Sequence, residues 1–322
     1  MLVIDEIHLI PSDSRVQVFR CVDYQLVLGL TATYERLDGR ESIIDRFCPV
    51  CDRITMADVI ANHWVSDYVE YEVLIDVDNL NEYEELQRKW TRHFEYFGFD
   101  FNLMMKMIGP DGFRYRKEMA LQMSSSPSKY KEKLKEVSMH AIGAMQAMQQ
   151  KKAFLNNHSK KIELARKIIQ ARPDSKIITF SNNIKVAEAI GIGKVVSGKE
   201  SKKKNRTTLE EFDKEEKGVV NSSKLLVTGA DIKGVNCLIV LGHDSSSTRA
   251  TQTRGRGIRV EGDKFTEIFN LVINDTQEVK WCETAHKDSR MVRIDEENLM
   301  KVLGHKPFET YSRPLEKFNY RF

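Results

Sequence analysis

"LVIDEIH" (Leu2–His8) is the stretch from which this chain is best read. Three apolar residues, two of them β-branched, give way at once to adjacent carboxylates, Asp5 and Glu6. A short apolar run that stops where polar residues begin is the pattern of a buried parallel strand, and ligands collect beyond the carboxyl ends of such strands. An acidic pair in that position suits a metal–phosphate group, and the magnesium–ATP complex is one. Such a group also needs a loop to cradle its phosphates, and only four residues precede Asp5.

The pattern repeats along the chain. "QLVLGL" (Gln25–Leu30) is a second apolar run, followed by Thr31 and Thr33 in "GLTAT" (Gly29–Thr33). "DRITMADVIANHWV" reads as a strand end followed by a helix, with Thr55 and Asp58 in capping-box spacing. "DYVEYEVLIDV" alternates as a strand does. Between Asn79 and about Asn157 the periodicity is helical, and "SSSPS" (Ser124–Ser128) breaks it in two. Leu134, Val137, Ala141, Met145 and Met148 recur at three- and four-residue steps, the apolar face of one long helix, with methionine as core filler.

After that region comes an alternation of elements. Helix "KKIELARKIIQA" stops before Pro173 and strand "KIITF" follows. Then come helix "NIKVAEAI", strand "KVVSG", helix "TTLEEFDK", and strands "KLLVT", "CLIVL" and "FTEIFNLVI". Strands alternating with helices predict an α/β fold with a parallel sheet.

Composition limits the alternatives. With 322 residues, 41% hydrophobic and 30% charged, the chain can bury one large core or two. No apolar run reaches the roughly 18 residues of a membrane helix, so the expectation is a soluble, intracellular protein without a membrane partner, cytoplasmic if bacterial or phage. The net charge of +3 is near balance, but it is unevenly spread. Glu70–Asp100 holds nine acidic residues against three basic, and Lys160–Arg206 thirteen basic against four acidic. The second half is thus expected to present a basic surface. Five cysteines are too few and too odd for a disulfide framework, which points to a reducing compartment. "CPVC" (Cys48–Cys51) has zinc-pair spacing without a second pair to complete four ligands, so buried thiols are the favoured reading.

Four polar constellations each follow an expected strand: "DEIH" (Asp5–His8), "TAT" (Thr31–Thr33), "VTGADIKGVN" (Val227–Asn236) and "QTRGRGIR" (Gln252–Arg259). Singly they are weak; in this order, across two α/β segments, they form a specific set. The chain resembles the superfamily 2 helicases and translocases, whose motor is two RecA-like domains with ATP in the cleft between them. "DEIH" is similar to motif II, "TAT" to motif III, "KIITFSNN" to motif IV, "VTGADIKGVN" to motif V and "QTRGRGIR" to motif VI. "LGLTATYERLDGRE" resembles the branch containing the xeroderma pigmentosum group B and phage branch-migration helicases. There an Arg-Glu-Asp element follows motif III, and Arg36-Leu37-Asp38 keeps its ends.

The resemblance implies roles. Asp5 would hold Mg²⁺ and Glu6 would orient the attacking water. Arg256 and Arg259 would reach the transferring phosphoryl group as arginine fingers, a contribution of about 10³–10⁵ in rate in such reactions. Gln252 would touch the γ-phosphate or its water, and His8 would link motif II to the second domain. Asp231 and Gly234 would line the nucleotide, while Thr31 and Thr33 would couple hydrolysis to movement. Ser181, Asn182, Thr228 and Arg36 are the candidate nucleic-acid contacts, with DNA favoured over RNA, and "KESKKKNR" (Lys199–Arg206) could add to them.

The phosphate loop, G-x-x-x-x-G-K-[ST], has one near match, "GKVVSGKE" (Gly193–Glu200). It ends in Glu where magnesium needs a hydroxyl, and it falls after motif IV, so it is a decoy. The expectation is therefore the C-terminal part of one RecA-like domain (1–78), a helical insertion (79–157), a complete second RecA-like domain with a parallel sheet (158–300) and a tail (301–322). A polypeptide carrying the missing loop could be a partner. Two other readings stay open: a nucleic-acid-binding module without ATPase activity, and an unstable remnant.

Overall fold

The computed structural model describes residues 1–12, 14–32, 34, 39–223, 232–259, 264–287 and 291–306. Its strands, all parallel in their pairings, are β1 (Leu2–Asp5), β2 (Val27–Leu30), β3 (Asp67–Ile75), β4 (Lys176–Ser181), β5 (Lys194–Val196), β6 (Gly218–Ser223), β7 (Cys237–Val240), β8 (Phe265–Ile273) and β9 (Met291–Ile294). Three short helices come first: α1 (Val18–Cys21), α2 (Glu41–Asp45) and α3 (Met56–Ala61). Four make the middle: α4 (Asn81–Glu95), α5 (Phe101–Ile108), α6 (Gly112–Gln122) and α7 (Pro127–Asn157). The rest are α8 (Ser159–Ala171), α9 (Ile184–Ile190), α10 (Lys202–Lys214), α11 (Ser247–Gly257), α12 (Gln277–Ala285) and α13 (Glu296–Leu303).

The chain forms two compact units, one of Met1–Ile75 with the segment from Lys161 onward, the other Asp76–Lys160. The first holds a seven-stranded sheet in the order β5-β6-β4-β7-β8-β3-β9 and a separate pair, β1-β2. Its core packs Ile178, Phe180, Val220, Leu238, Val240 and Ile268 from the strands against Leu209 and Phe212 from α10. Apolar runs buried on both faces are what a parallel sheet covered by helices requires.

Two findings depart from the sequence reading. Strand β3, which the sequence places in the 1–78 segment, pairs along its whole length with β8 and along Glu70–Val73 with β9, inside the large sheet. The alternating glutamates of β3 do not face water: Glu70 and Glu72 are both buried. Each is paired with an arginine, Arg254 Nε to Glu70 Oε2 at 2.9 Å and Arg293 Nε to Glu72 Oε2 at 2.6 Å, because a buried charge is tolerable only when compensated. The strand expected at "KLLVT" lies outside the described residues, and β6 ends just before it at Ser223. The buried Asn221, Ser222 and Ser223 disguise β6 as a loop; Thr179 Oγ1 donates to Asn221 Oδ1 at 2.8 Å, which is how so polar a strand is accommodated.

In the second unit α7 carries an apolar stripe that follows the expected one only in part. Leu134 is partly buried, and the expected Met145 and Met148, half-buried, give way to Ala144 and Ala147. Val137, Ala141 and Ala144 are fully buried against Phe97 and the α5 residues Met104 and Met107. Ser126 caps α7, accepting from the Lys129 N–H at 3.4 Å, with Pro127 in the first turn. No described helix is long and apolar enough to cross a membrane.

Candidate nucleotide-type site and buried anchor of helix α11

The register of β1 against β2 pairs Asp5 with Leu30, so the residues that follow, Glu6 and Thr31, leave the two strands side by side. Glu6 then adopts a left-handed backbone, φ 51° and ψ 48°, uncommon for a residue with a side chain and typical of functional turns. That bend starts the 3₁₀ turn Ile7–Leu9 and folds His8 back beneath Glu6. The buried His8 ring places Nδ1 2.8 Å from Thr31 Oγ1 and 3.1 Å from Glu6 Oε2. Gln252 Nε2 on α11 donates to the other carboxylate oxygen, Glu6 Oε1, at 3.5 Å. Thr31, His8, Glu6 and Gln252 thus form one polar chain. Asp5 is exposed at the tip of β1 and accepts the Glu6 N–H at 2.9 Å.

Helix α11 presents Arg249, Gln252 and Arg256 at three- and four-residue steps, along one face. Arg256 is half-buried, and that burial lowers its pKa from the ordinary arginine value, although a guanidinium keeps its charge at any physiological pH. Arg259 lies just past the helix, and its carbonyl accepts the Ser66 hydroxyl at 2.6 Å. The Ser66 N–H is donated to Ile258 O at 2.8 Å, so one serine clamps the backbone beside Arg259.

Sequence reasoning missed Ser66, and it also missed Arg254, which sits two residues before the motif arginine Arg256 but serves the interior. Arg254 is 5% exposed and grips Glu70 of β3. Glu70 also accepts from Asn270 Nδ2 of β8 at 3.2 Å and lies 3.2 Å from His286 Nε2. Burial would raise the Glu70 pKa, but the His286 contact and the Arg254 charge outweigh it and hold the carboxyl at about 2. The cavity beneath α11, lined by Glu70, His243, Arg254 and His286 among others, is about 40 Å³. That is room for on the order of one water.

The motif IV residues meet the other end of the helix face. Asn182 Oδ1 accepts from Arg249 Nη1 at 3.3 Å, and Arg249 also pairs with Asp244 at 2.5 Å. A Cβ at Gly242 would stand 2.6 Å from Asn182 Nδ2, so only glycine allows this approach. Ser181 is buried, and its hydroxyl donates to Asn183 O at 2.9 Å. Gly234, at φ +73°, lies against the side chain of Lys176, where β4 begins, whereas Asn182 follows the end of that strand. Thr33, Arg36, Thr228 and Asp231 lie outside the described residues. The basic run at 199–206 is largely neutralised locally: Lys199 pairs with Glu188, Lys204 with Glu200 and Arg206 with Glu210. Cys48 is partly exposed and Cys51 exposed, both as free thiols, so the expected buried thiols are not found there, and no described group of three or more His, Cys, Asp or Glu is placed to hold a metal.

The side chains fit a magnesium–triphosphate in kind: an exposed carboxylate at a strand end for the ion, an oriented carboxylate beside it, and a glutamine and an arginine one turn apart on a facing helix.

Residues 160–261 match the helicase conserved C-terminal domain family. The chain is 24% identical over 286 residues to the DNA 3'-5' translocase XPB2 of Sulfurisphaera tokodaii, which covers 87% of this chain and 60% of that protein. It therefore spans less than two thirds of that relative's length. In fold it is similar to S. cerevisiae Dbp5 bound to RNA and ADP BeF3, with a TM-score of 0.54 at 12% identity over 94% of this chain and 61% of the other. It is also similar to the Pyrococcus furiosus Hef helicase domain, with a TM-score of 0.51 at 16% identity over 87% of this chain and 72% of the other. The parallel seven-stranded sheet is thus of the RecA-like helicase type. Residues 160–261 carry a helicase conserved C-terminal domain, and the chain is similar in sequence to a DNA 3'-5' translocase and in fold to helicase domains.

Proposed function

We propose that this chain is part of an ATP-dependent motor that moves on or remodels DNA. The observation that carries the reading is the polar chain Thr31–His8–Glu6–Gln252, which ties the acidic pair after β1 to α11 and its arginines. Asp5 would hold Mg²⁺, which supplies charge neutralisation at the phosphates when bound. Glu6, steadied by His8 and Gln252, accepts the proton of the attacking water as the water's oxygen bonds to the γ-phosphorus and the bond to the ADP oxygen breaks. Arg256 and Arg259 offset the charge that spreads over the phosphoryl oxygens. Thr31 and Thr33 relay the change at Glu6, with Asp231 beside the nucleotide; Gly234, packed where β4 begins, is left out of that role. Asn182, Thr228 and Arg36 contact the strand's phosphates; Ser181, whose hydroxyl is turned inward, shapes the turn that presents Asn182.

The β1–β2 pair exposes Val3, Leu26, Leu28 and Leu30. An uncovered apolar face on a parallel pair supports a polypeptide segment that packs there and brings the phosphate loop. The test is ATP turnover by the purified chain, with single-stranded and forked DNA, alone and mixed with a polypeptide supplying such a loop. Turnover that needs the added segment, is raised by DNA and is lost in Glu6→Gln supports the reading. Salt-sensitive DNA binding with no turnover in any mixture overturns it in favour of a binding module without ATPase activity.

A further inference from the structure

The helical unit brings together two histidines 47 positions apart in sequence, His93 on α4 and His140 on α7. Their Nδ1 atoms are 3.3 Å apart, with ring centroids at 5.2 Å and planes at 74°. Each ring is held in place. Tyr96 stacks on His140 at 4.0 Å and 7°. His93 lies across α7 at Gly143, where a Cβ would stand 2.3 Å from Nε2, so the helix is cut away for this ring. Both imidazoles remain partly open to solvent.

These distances are those of a chelate. A tetrahedral ion with metal–nitrogen bonds of about 2.0–2.1 Å separates two of its nitrogens by about 3.3–3.4 Å, and places the ring centroids about 5.2 Å apart. Burial also favours the neutral form of both rings, the form that offers a lone pair. Burial lowers the His93 pKa, helped by His140 and Arg92. Burial lowers that of His140 too, against the attraction of Glu136 and with help from Arg92.

We propose that His93 and His140 form a two-histidine site for a first-row transition dication of the zinc, nickel or copper class, joining α4 to α7 with water completing the shell. In the ion-free pair one Nδ1–H donates to the other Nδ1. The ion takes both Nδ1 lone pairs, so the donor ring's hydrogen passes by exchange with water to its Nε2, and a neutral pair releases no net proton. Among the described residues no third His, Cys, Asp or Glu completes a three-ligand group, which sets the affinity at that of a bidentate site. Glu136, one turn before His140, adds a nearby negative charge; its own carboxylate accepts from Lys133 Nζ at 2.7 Å.

The site is tested on the full chain without a histidine tag, by equilibrium dialysis against Ni²⁺ and Zn²⁺ and by the visible absorption of added Co²⁺. One ion per chain is expected, with affinity reduced at least about tenfold in His93→Gln and in His140→Gln and retained in His158→Gln of the same unit. Intense four-coordinate Co²⁺ bands in the unmodified chain, with imidazole nitrogen couplings when Cu²⁺ replaces it, support the site even if a variant fails to fold. No saturable binding below ~1 mM Ni²⁺, or binding unchanged in both histidine variants, overturns it.

Discussion

Substituting Glu70 by Gln tests the buried anchor of α11 directly. Glu70 is 1% exposed and receives Arg254, Asn270 and His286. Its pKa falls from the ordinary 4.5 to about 2, the His286 and Arg254 contacts outweighing the cost of burial. At about 1.36 kcal/mol per pKa unit, this corresponds to an order of 3 kcal/mol of stability from the charged form. Breaking a buried pair by removing one partner costs about 3–5 kcal/mol, which agrees. A depressed carboxylate pKa contributes fully above pH 4.5, and the contribution drains away as pH falls from 4.5 through about 2. Urea unfolding at pH 7, 5 and 3 measures it, followed by the fluorescence of Trp281 on α12 in a background where Trp64 and Trp90 are Phe. Glu70→Gln should be about 3 kcal/mol less stable at pH 7, with the gap narrowing only below about pH 4.5. A gap under about 1 kcal/mol at pH 7, or one that is the same at pH 3, would refute the reasoning.

Other expectations are open to simpler measurements. Lys161 and Glu278 form a fully buried pair at 2.5 Å, so Lys161→Met should cost about 3–5 kcal/mol by stranding Glu278. Adding Glu278→Leu should restore much of that loss, as a double-mutant cycle in urea would report. Lys151 lies buried over Trp90, and burial lowers its pKa to about 8. The unfolded lysine holds its proton up to about 10.5, so the helical unit should gain stability as pH rises from about 8 to 10.5, read by Trp90 fluorescence. Ser126→Ala should destabilise α7 by about 1 kcal/mol through loss of its cap, seen as earlier thermal loss of helicity.

Much of the scaffold was legible because local rules and tertiary demands agree there. Strands β4, β7 and β8 are largely apolar runs buried on both faces, and α7 keeps a three- and four-residue step of buried positions from Val137 to Leu155. Thr55 and Asp58 cap α3 as their spacing predicts, with Asp58 N–H donating to Thr55 Oγ1 at 3.2 Å and Thr55 N–H to Asp58 Oδ2 at 2.8 Å. Reading failed where polarity and exposure part company. The Asn-Ser-Ser end of β6 looks like a loop, yet it is buried in the sheet with its polar groups satisfied by neighbouring strands. The motif around Gln252 lists its arginines without ranking them. Only the helix orientation separates Arg254, turned to the interior, from Arg256 on the Gln252 face.

Sequence by itself determined strands β1–β5, β7 and β8 and helices α7–α10 in their order, because periodicity and capping act over a few residues. It also carried the motif order by which this chain resembles the superfamily 2 motors. The tertiary structure alone decided that β3 enters the large sheet between β8 and β9, that Glu70 meets Arg254 across 184 positions, and that His93 faces His140. Those pairings depend on which surfaces must be buried together and which charges must then be compensated. Both are properties of the folded whole, and no window of sequence contains them.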